Sequence, residues 1–558
     1  MKKKNSTGAM IGIAVAVIAL VFGGVALTRN IGKSDKVITK EAAMETLEKY
    51  YKRIDPTETA PIKGQVTFSE EDSLFQELPD LKADSITVQE TTPYYAEIFA
   101  SSEKTGTGTD GYLREMAEKY NRQGITVNGE RASVRLRTVS SGQQVDYPAS
   151  GKYVPDAISP SSDLSVKMLN AKGVSTVNID DSLVMNYAGL VVSNSTYSTL
   201  VEDYGSADAQ TFAKATADGR ITVGYTNPFT SATGMNFLVT LLDSYDSGNI
   251  LSDKAISGFQ AFQENVPFVA MTTGQMRTAA ERGSFDAFVL EYQVYINDSK
   301  LKRNYRFIPF GYAHTNPLAM IESSDKKAIL DSFADFCTEN GAQLAQNDGF
   351  DQNIDYIPSL PDYSGTDLMA AQKLYKENKD SQPVICVFVA DVSGSMAGES
   401  LNTLKDSLIN SMQYINPNNY IGLVSYDDEV NIALPIAQFD INQQSYFKGT
   451  VESLDAGGGT ATYDGLCVAL KMIEDKLEET NGAKAMVFVL SDGETNRGHS
   501  LRDVEDIVSG LGIPVYTIGY NANIEALSQL SDINEGVCIN ANTDDVIYQL
   551  KQLFNANM

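Results

Sequence analysis

The sequence predicts an α/β protein with one N-terminal transmembrane helix, and three observations carry that expectation. Continuous apolar runs alternate with amphipathic helical patterns over the last 176 or so of the 558 residues. Short β-like runs ending in hydroxyl-rich loops alternate with helices before them. An uncharged span opens the chain.

That span is "MKKKNSTGAMIGIAVAVIALVFGGVALTRN", in which Lys2, Lys3 and Lys4 precede residues 8–27 without a charge. Twenty residues at 1.5 Å each make about 30 Å of helix, enough to cross a bilayer. A cleaved signal peptide has a shorter apolar core, about 7–15 residues, and a small-residue exit. The longer core here, with no cleavage triplet behind it, favours an uncleaved anchor over residues 1–30. The leading lysines place the N-terminus in the cytoplasm and the body outside a single-pass cell membrane, although Arg29, Lys33 and Lys36 weaken the asymmetry.

Residues 31–84 are expected to form a stalk helix and linker. "KEAAMETLEKYYKRIDP" carries Ala43, Leu47, Tyr50, Tyr51 and Ile54 at helical spacing and stops at Pro56. The acidic, proline-containing text after it reads as a tether.

Residues 85–363 are written as α/β. "ASVRLRTVSSG", "VPDAISPSSD", "SLVMNYAGLVVSNS" and "GRITVGYTNPFTSATG" each end in hydroxyls, with "DGYLREMAEKYNRQ" and "AILDSFADFCTENGAQLA" as helices between such runs. Residues 364–382, "TDLMAAQKLYKENKDSQ", are expected to be a helical linker to a domain over 383–558. There the apolar strands are continuous, which implies a doubly wound, mainly parallel sheet covered on both faces.

Composition excludes several functions. Net charge is −28 with a pI near 4.5, which argues against nucleic acid as partner, since phosphate neutralisation needs clustered Lys and Arg. Histidine is limited to His314 and His499, so a multi-histidine metal centre is excluded. Cys337, Cys386, Cys467 and Cys538 lie in apolar segments without CxxC spacing and are expected to be small core residues.

The chemistry-bearing stretch of the last domain is "VFVADVSGSMAGES", where a strand ends on Asp391, Ser393 and Ser395. Loops after different parallel strands meet at one sheet edge. Partners are therefore expected after other strands: Thr460 in "LDAGGGTATYDGL" and Asp492 in "VFVLSDGETNRG". Two carboxylates and three hydroxyls, without histidine or thiolate, suit a hard cation such as Mg²⁺, Mn²⁺ or Ca²⁺. This order of motifs on an α/β pattern resembles a von Willebrand factor type A (VWA) domain. The resemblance implies a Rossmann-like fold and a metal-ion-dependent adhesion site of Asp391, Ser393, Ser395, Thr460 and Asp492. It also implies Mg²⁺ as the usual ion, and a protein or polymer partner that completes its shell with an acidic group.

The middle region resembles bacterial extracellular solute-binding proteins in "YAEIFASSEKTGTGTDGYLREMAEKYN", "VGYTNPFTSATGMNFL" and "YRFIPFGYAHTNPLAMIESSDKKAILDSFADFCTENGAQLAQNDGF". That resemblance implies a two-lobed periplasmic-binding-protein-like domain with a cleft. By position the cleft loops offer Ser101, Ser102, Ser140, Ser141, Ser161, Ser162, Thr226, Asn227, Thr230, Ser231 and Thr233, with Glu291 and Tyr292 from a crossing segment. Hydroxyls and helix-start amides of this kind hold a small solute or oxyanion without a counter-charge, and the same groups cap helices.

The functional expectation is a membrane-anchored extracytoplasmic binding protein: the last domain holds a partner through a divalent cation and the middle domain captures a solute. The alternative is a cell-envelope assembly or scaffold component with a ligand-free middle domain. Catalysis is not expected, because no base or nucleophile stands beside the five ion ligands and Glu494 reads as a cap or solvated charge.

Overall fold

In the computed structural model the apolar runs become strands, and their alternation explains the layers. It describes residues 38–66, 85–263, 286–379, 383–480, 482–493, 495–520 and 524–534, with scattered positions between and beyond these stretches. The predicted membrane span, residues 8–27, lies outside the described residues. Among those described, no helix is long and apolar enough to cross a membrane.

The C-terminal sheet is built on β14, Val384–Asp391, whose eight residues are all buried. It pairs in parallel with β15 (Tyr420–Tyr426) on one side and β17 (Lys484–Ser491) on the other. Beyond β17 follow β18 (Val515–Gly519) and β19 (Cys538–Asn540), both parallel; beyond β15 lies the antiparallel β16 (Val430–Gln438). Both faces are covered. Val384, Cys386, Phe388 and Ala390 join one core with Leu404, Leu408 and Phe447, while Ile385, Val387 and Val389 join another with Leu466, Leu470 and Val504. A period of two therefore feeds two helical layers, and the run has no polar face to show.

The helix Lys40–Ile54 corrects the stalk expectation. Its buried Ala43 and Leu47 belong to the second of these cores, against the helices Thr462–Glu479 and Leu501–Leu511. Lys40 pairs with Glu474 at 2.8 Å, Lys471 with Glu48 at 3.0 Å, and Tyr50 stacks on His499 with ring centroids 4.0 Å apart. The chain then adds β1 (Thr57–Glu58) in parallel to the edge strand β16, so the sheet has seven strands. Farther on, Gly64 N donates to Ser445 O at 2.8 Å, and a Cβ on Gly449 would stand 2.3 Å from Ile62 O. Only glycine permits that approach. An amphipathic helix buries its apolar stripe where a partner is available, and the C-terminal domain supplies one.

The middle region forms two sheets. The first runs β2 (Ile86–Val88), β5 (Glu130–Thr138), β3 (Tyr94–Ala100), β6 (Ala157–Ser159), β13 (Leu318–Ile321) and β7 (Thr176–Asp180), with β4 (Thr126–Val127) attached to β5. The second runs β10 (Val269–Ala270), β9 (Val223–Thr226), β11 (Ala287–Glu291), β8 (Asn186–Ser193) and β12 (Tyr305–His314). The chain crosses between them after β7 and again after β12, the two-lobed arrangement expected.

The segment expected to be a linker is also corrected. Helix Gly365–Asn378 buries Leu368, Ala371, Leu374 and Tyr375 in the middle-domain core, against helix Asp163–Ala171 of one lobe and Ala232–Tyr245 and Asp253–Gln263 of the other. It braces both lobes. The four cysteines are free; Cys337, Cys386 and Cys467 are buried in cores as expected, and Cys538 is only half-buried.

Candidate metal centre and solute cleft

Asp391 ends β14 at the carboxyl edge of the sheet because the register sets Ala390 beside Leu490 and Asp391 beside Tyr426. Its side chain is fully buried. Oδ1 accepts the Ser393 amide at 2.9 Å and Oδ2 accepts the Ser491 hydroxyl at 2.6 Å. Ser393, also buried, lies 3.1 Å from the exposed Ser395, oxygen to oxygen.

Two other loops close on this one. Gly394 N donates to Gly458 O at 3.2 Å and Gly457 N to Val392 O at 2.8 Å, which brings the glycine run and the buried Thr460 against the first loop. The amides of Asn496 and Arg497 donate to Thr460 O at 3.0 and 3.1 Å, and Thr460 N donates to Asn496 Oδ1 at 3.0 Å. The loop carrying Asp492 is thereby tied to the loop carrying Thr460. All three loops predicted to share a site are joined by hydrogen bonds.

The donor set passes a test of fit on one atom. Among the described residues the buried Asp492 Oδ1 has no hydrogen-bond partner, and a buried carboxylate oxygen without a donor is costly unless a cation meets it. Burial also pushes the Asp391 carboxyl up, with the charge of Asp492 adding to the effect. A divalent ion between them would reverse that sign. Among the described residues no group of three or more His, Cys, Asp or Glu side chains converges on a metal position, so the centre depends on its hydroxyls. Ser491 and Asn496 were not expected from sequence. Ser491 directly precedes Asp492 and could have been suspected, whereas nothing local marks Asn496.

The middle domain brings some predicted groups together and sets others aside. Ser101, Ser141 and Ser161 are buried together: Ser161 Oγ is 3.3 Å from Ser101 Oγ and 3.4 Å from Ser141 Oγ. Gly142 N donates to Thr230 O at 3.2 Å, where the two lobes touch. Thr233 donates to the buried Glu291 at 2.8 Å. Most of the remaining positions serve the backbone or one another. Ser140 accepts the Gln143 amide, Ser162 caps helix Asp163–Ala171, and Ser231 caps helix Ala232–Tyr245 while taking a bond from Thr226. Asn227 accepts the Phe229 amide and Thr230 bonds Asn227 O. Ser102 is exposed, and Tyr292 packs edge-on to Phe307. Reasoning from sequence missed Glu103, which takes bonds from Ser101 and Ser161, and Lys104, whose Nζ donates to Pro160 O at 3.0 Å and Asn316 Oδ1 at 2.9 Å. Burial pushes the Lys104 ammonium down to about 8. A cavity of ≈ 670 Å³ opens elsewhere, beside Lys167, Asn178, Tyr312 and Asp362, and none of the predicted cleft residues lines it.

The model of the von Willebrand factor type A domain matches residues 386–556, and that of the bacterial extracellular solute-binding protein matches residues 105–351. The chain pairs a solute-binding domain with a VWA domain. Among curated proteins, inter-alpha-trypsin inhibitor heavy chain H3 of Bos taurus is 26% identical over 168 residues, 28% of this chain and 18% of that one. Heavy chain H4 of Homo sapiens is 24% identical over 192 residues, 32% of this chain and 20% of that one. The match thus spans about a fifth of the length of these relatives. Among solved structures, a von Willebrand factor type A protein from Catenulispora acidiphila shares 18% identity at TM-score 0.28, covering 31% of this chain and 42% of its own. A periplasmic thiamin binding protein shares 12% at TM-score 0.39, covering 52% and 98%.

Proposed function

We propose that this protein is a membrane-anchored, outward-facing binding protein whose VWA domain holds an acidic group of a protein or polymer partner through a divalent cation. The middle domain captures a small solute. The observation that carries the reading is the convergence of three hydrogen-bonded loops on Asp391 and on an unpartnered, buried Asp492 oxygen. Asp391, Ser393, Ser395, Thr460 and Asp492 would hold the ion, with Mg²⁺ favoured over Mn²⁺ or Ca²⁺. When bound, such an ion supplies an electrophilic point that an incoming carboxylate can complete. The chain's own part is to fix the loops and shield the carboxylates. The matched families support binding and not catalysis. Localisation outside a single-pass membrane rests on the N-terminal span and its leading lysines.

Calorimetric titration of Mg²⁺ tests the site. The wild-type protein should take up one ion, and Asp391→Ala should abolish the heat. Equal uptake by both proteins would sink the assignment. An envelope scaffold with a ligand-free middle domain is favoured by one observation, that the Ser101 and Ser161 hydroxyls are already bonded within the chain.

A further inference from the structure

The hydroxyls that would hold an oxyanion already hold a carboxyl group. Ser101 Oγ and Ser161 Oγ both donate to Glu103 Oε1, and Ser141 Oγ lies 3.4 Å behind Ser161 Oγ. A carboxylate oxygen offers these donors the same acceptor that a sulfate or molybdate oxygen would offer. We propose that Glu103 fills the anion position of the cleft from within the chain, so that oxyanions are shut out and the solute presents a neutral or cationic group there. This rests on the reading of the space between the lobes as a solute cleft.

Charge points the same way. Glu291, 2% exposed, is a second carboxylate in the cleft, held by Thr233 at 2.8 Å, His314 Nδ1 at 3.0 Å and Asn186 at 3.1 Å. An entering oxyanion would meet two carboxylates in a poorly solvated place, where like charges repel strongly. The buried cation beside them, Lys104, whose Nζ donates to Pro160 O and Asn316 Oδ1, is one positive charge against two carboxyls and offsets them only in part. Burial and the charge of Glu291 push the Glu103 carboxyl up, a strain that a positive group on the solute would relieve. Both hydroxyl bonds fall on Glu103 Oε1, so Oε2 keeps its acceptor capacity for a donor on that solute.

The test is titration of molybdate, sulfate and inorganic phosphate into the full-length protein and its Glu103→Ala variant, by calorimetry and thermal melting. The wild type should give no saturable heat at millimolar anion. Glu103→Ala, with the Ser101 and Ser161 hydroxyls released, should bind at least one of the anions about tenfold or more above the wild-type limit. Micromolar oxyanion binding by the wild type overturns the proposal. So does a variant that melts as the wild type does yet stays silent to all three. Glu103→Ser, which keeps a hydroxyl against Ser101 and Ser161, replaces the alanine variant if the latter fails to fold. A parallel panel of amines and sugars on the wild type separates the two readings. Silence there, together with a gain in Glu103→Ala, leaves the role of Glu103 intact and removes solute capture.

Discussion

Asp391 has both carboxylate oxygens engaged, one by its own loop and one by Ser491 across the strand pair. The Ser491 bond fixes the orientation of a ligand that the ion would need, and partners behind ligands typically matter about 10–100-fold in metal affinity. Ser491→Ala should therefore weaken Mg²⁺ binding by that order without abolishing it, as read by calorimetry. A second buried carboxyl carries a pH signature. Burial, with Glu115 and Asp110 nearby, pushes Asp348 up to about 6, and its Oδ2 has no hydrogen-bond partner among the described residues. The folded state then keeps this proton longer than the unfolded chain, whose Asp titrates near 4. Its stabilising contribution is full below about pH 4 and is lost as pH rises through about 6. Urea midpoints across that window should fall less steeply for Asp348→Asn than for the wild type. Identical slopes would remove Asp348 as the source.

At the scale of elements, helix Lys40–Ile54 was legible as a helix but not as part of a core. Ala43, Leu47, Tyr50, Tyr51 and Ile54 define one stripe, and spacing alone reveals a stripe. What covers it lies more than 400 residues away, on Val504, Ile507 and Leu466. Leu47 is fully buried, so Leu47→Ala should cost about 2–5 kcal/mol by chemical denaturation of the C-terminal domain. A free stalk helix would show almost no change. Helix Gly365–Asn378 is a parallel case: its place just ahead of the last domain read as a connector, and its burial between both lobes became visible only in the fold.

For the whole molecule, the C-terminal domain is discontinuous. Residues 38–66 lie on it, the chain then leaves to build both lobes of the middle domain, and it returns at β14. A short chain of contacts links the N-terminal helix to the loops around Asp391. Tyr50 stacks on His499, whose Nδ1 lies 2.5 Å from Asp464, and Asp464 sits in the first turn of the helix that follows Thr460. Mg²⁺ should stabilise this discontinuous unit, by about 2.7 kcal/mol at a hundredfold excess over Kd, and leave the middle domain unmoved. Scanning calorimetry with Mg²⁺ and then with a chelator checks this, since only one of two transitions should shift.

By itself the sequence determined the α/β class, the strand that ends on Asp391, and the types of oxygen donor available for an ion. These are local facts, because periodicity and donor chemistry are written in neighbouring residues. The tertiary structure decided what each stripe and hydroxyl meets. It placed the first helix on the last domain, joined three loops around Asp391, and turned Glu103 into the partner of Ser101 and Ser161. Such pairings depend on packing between residues far apart in the chain, and no short stretch of sequence contains both halves of one.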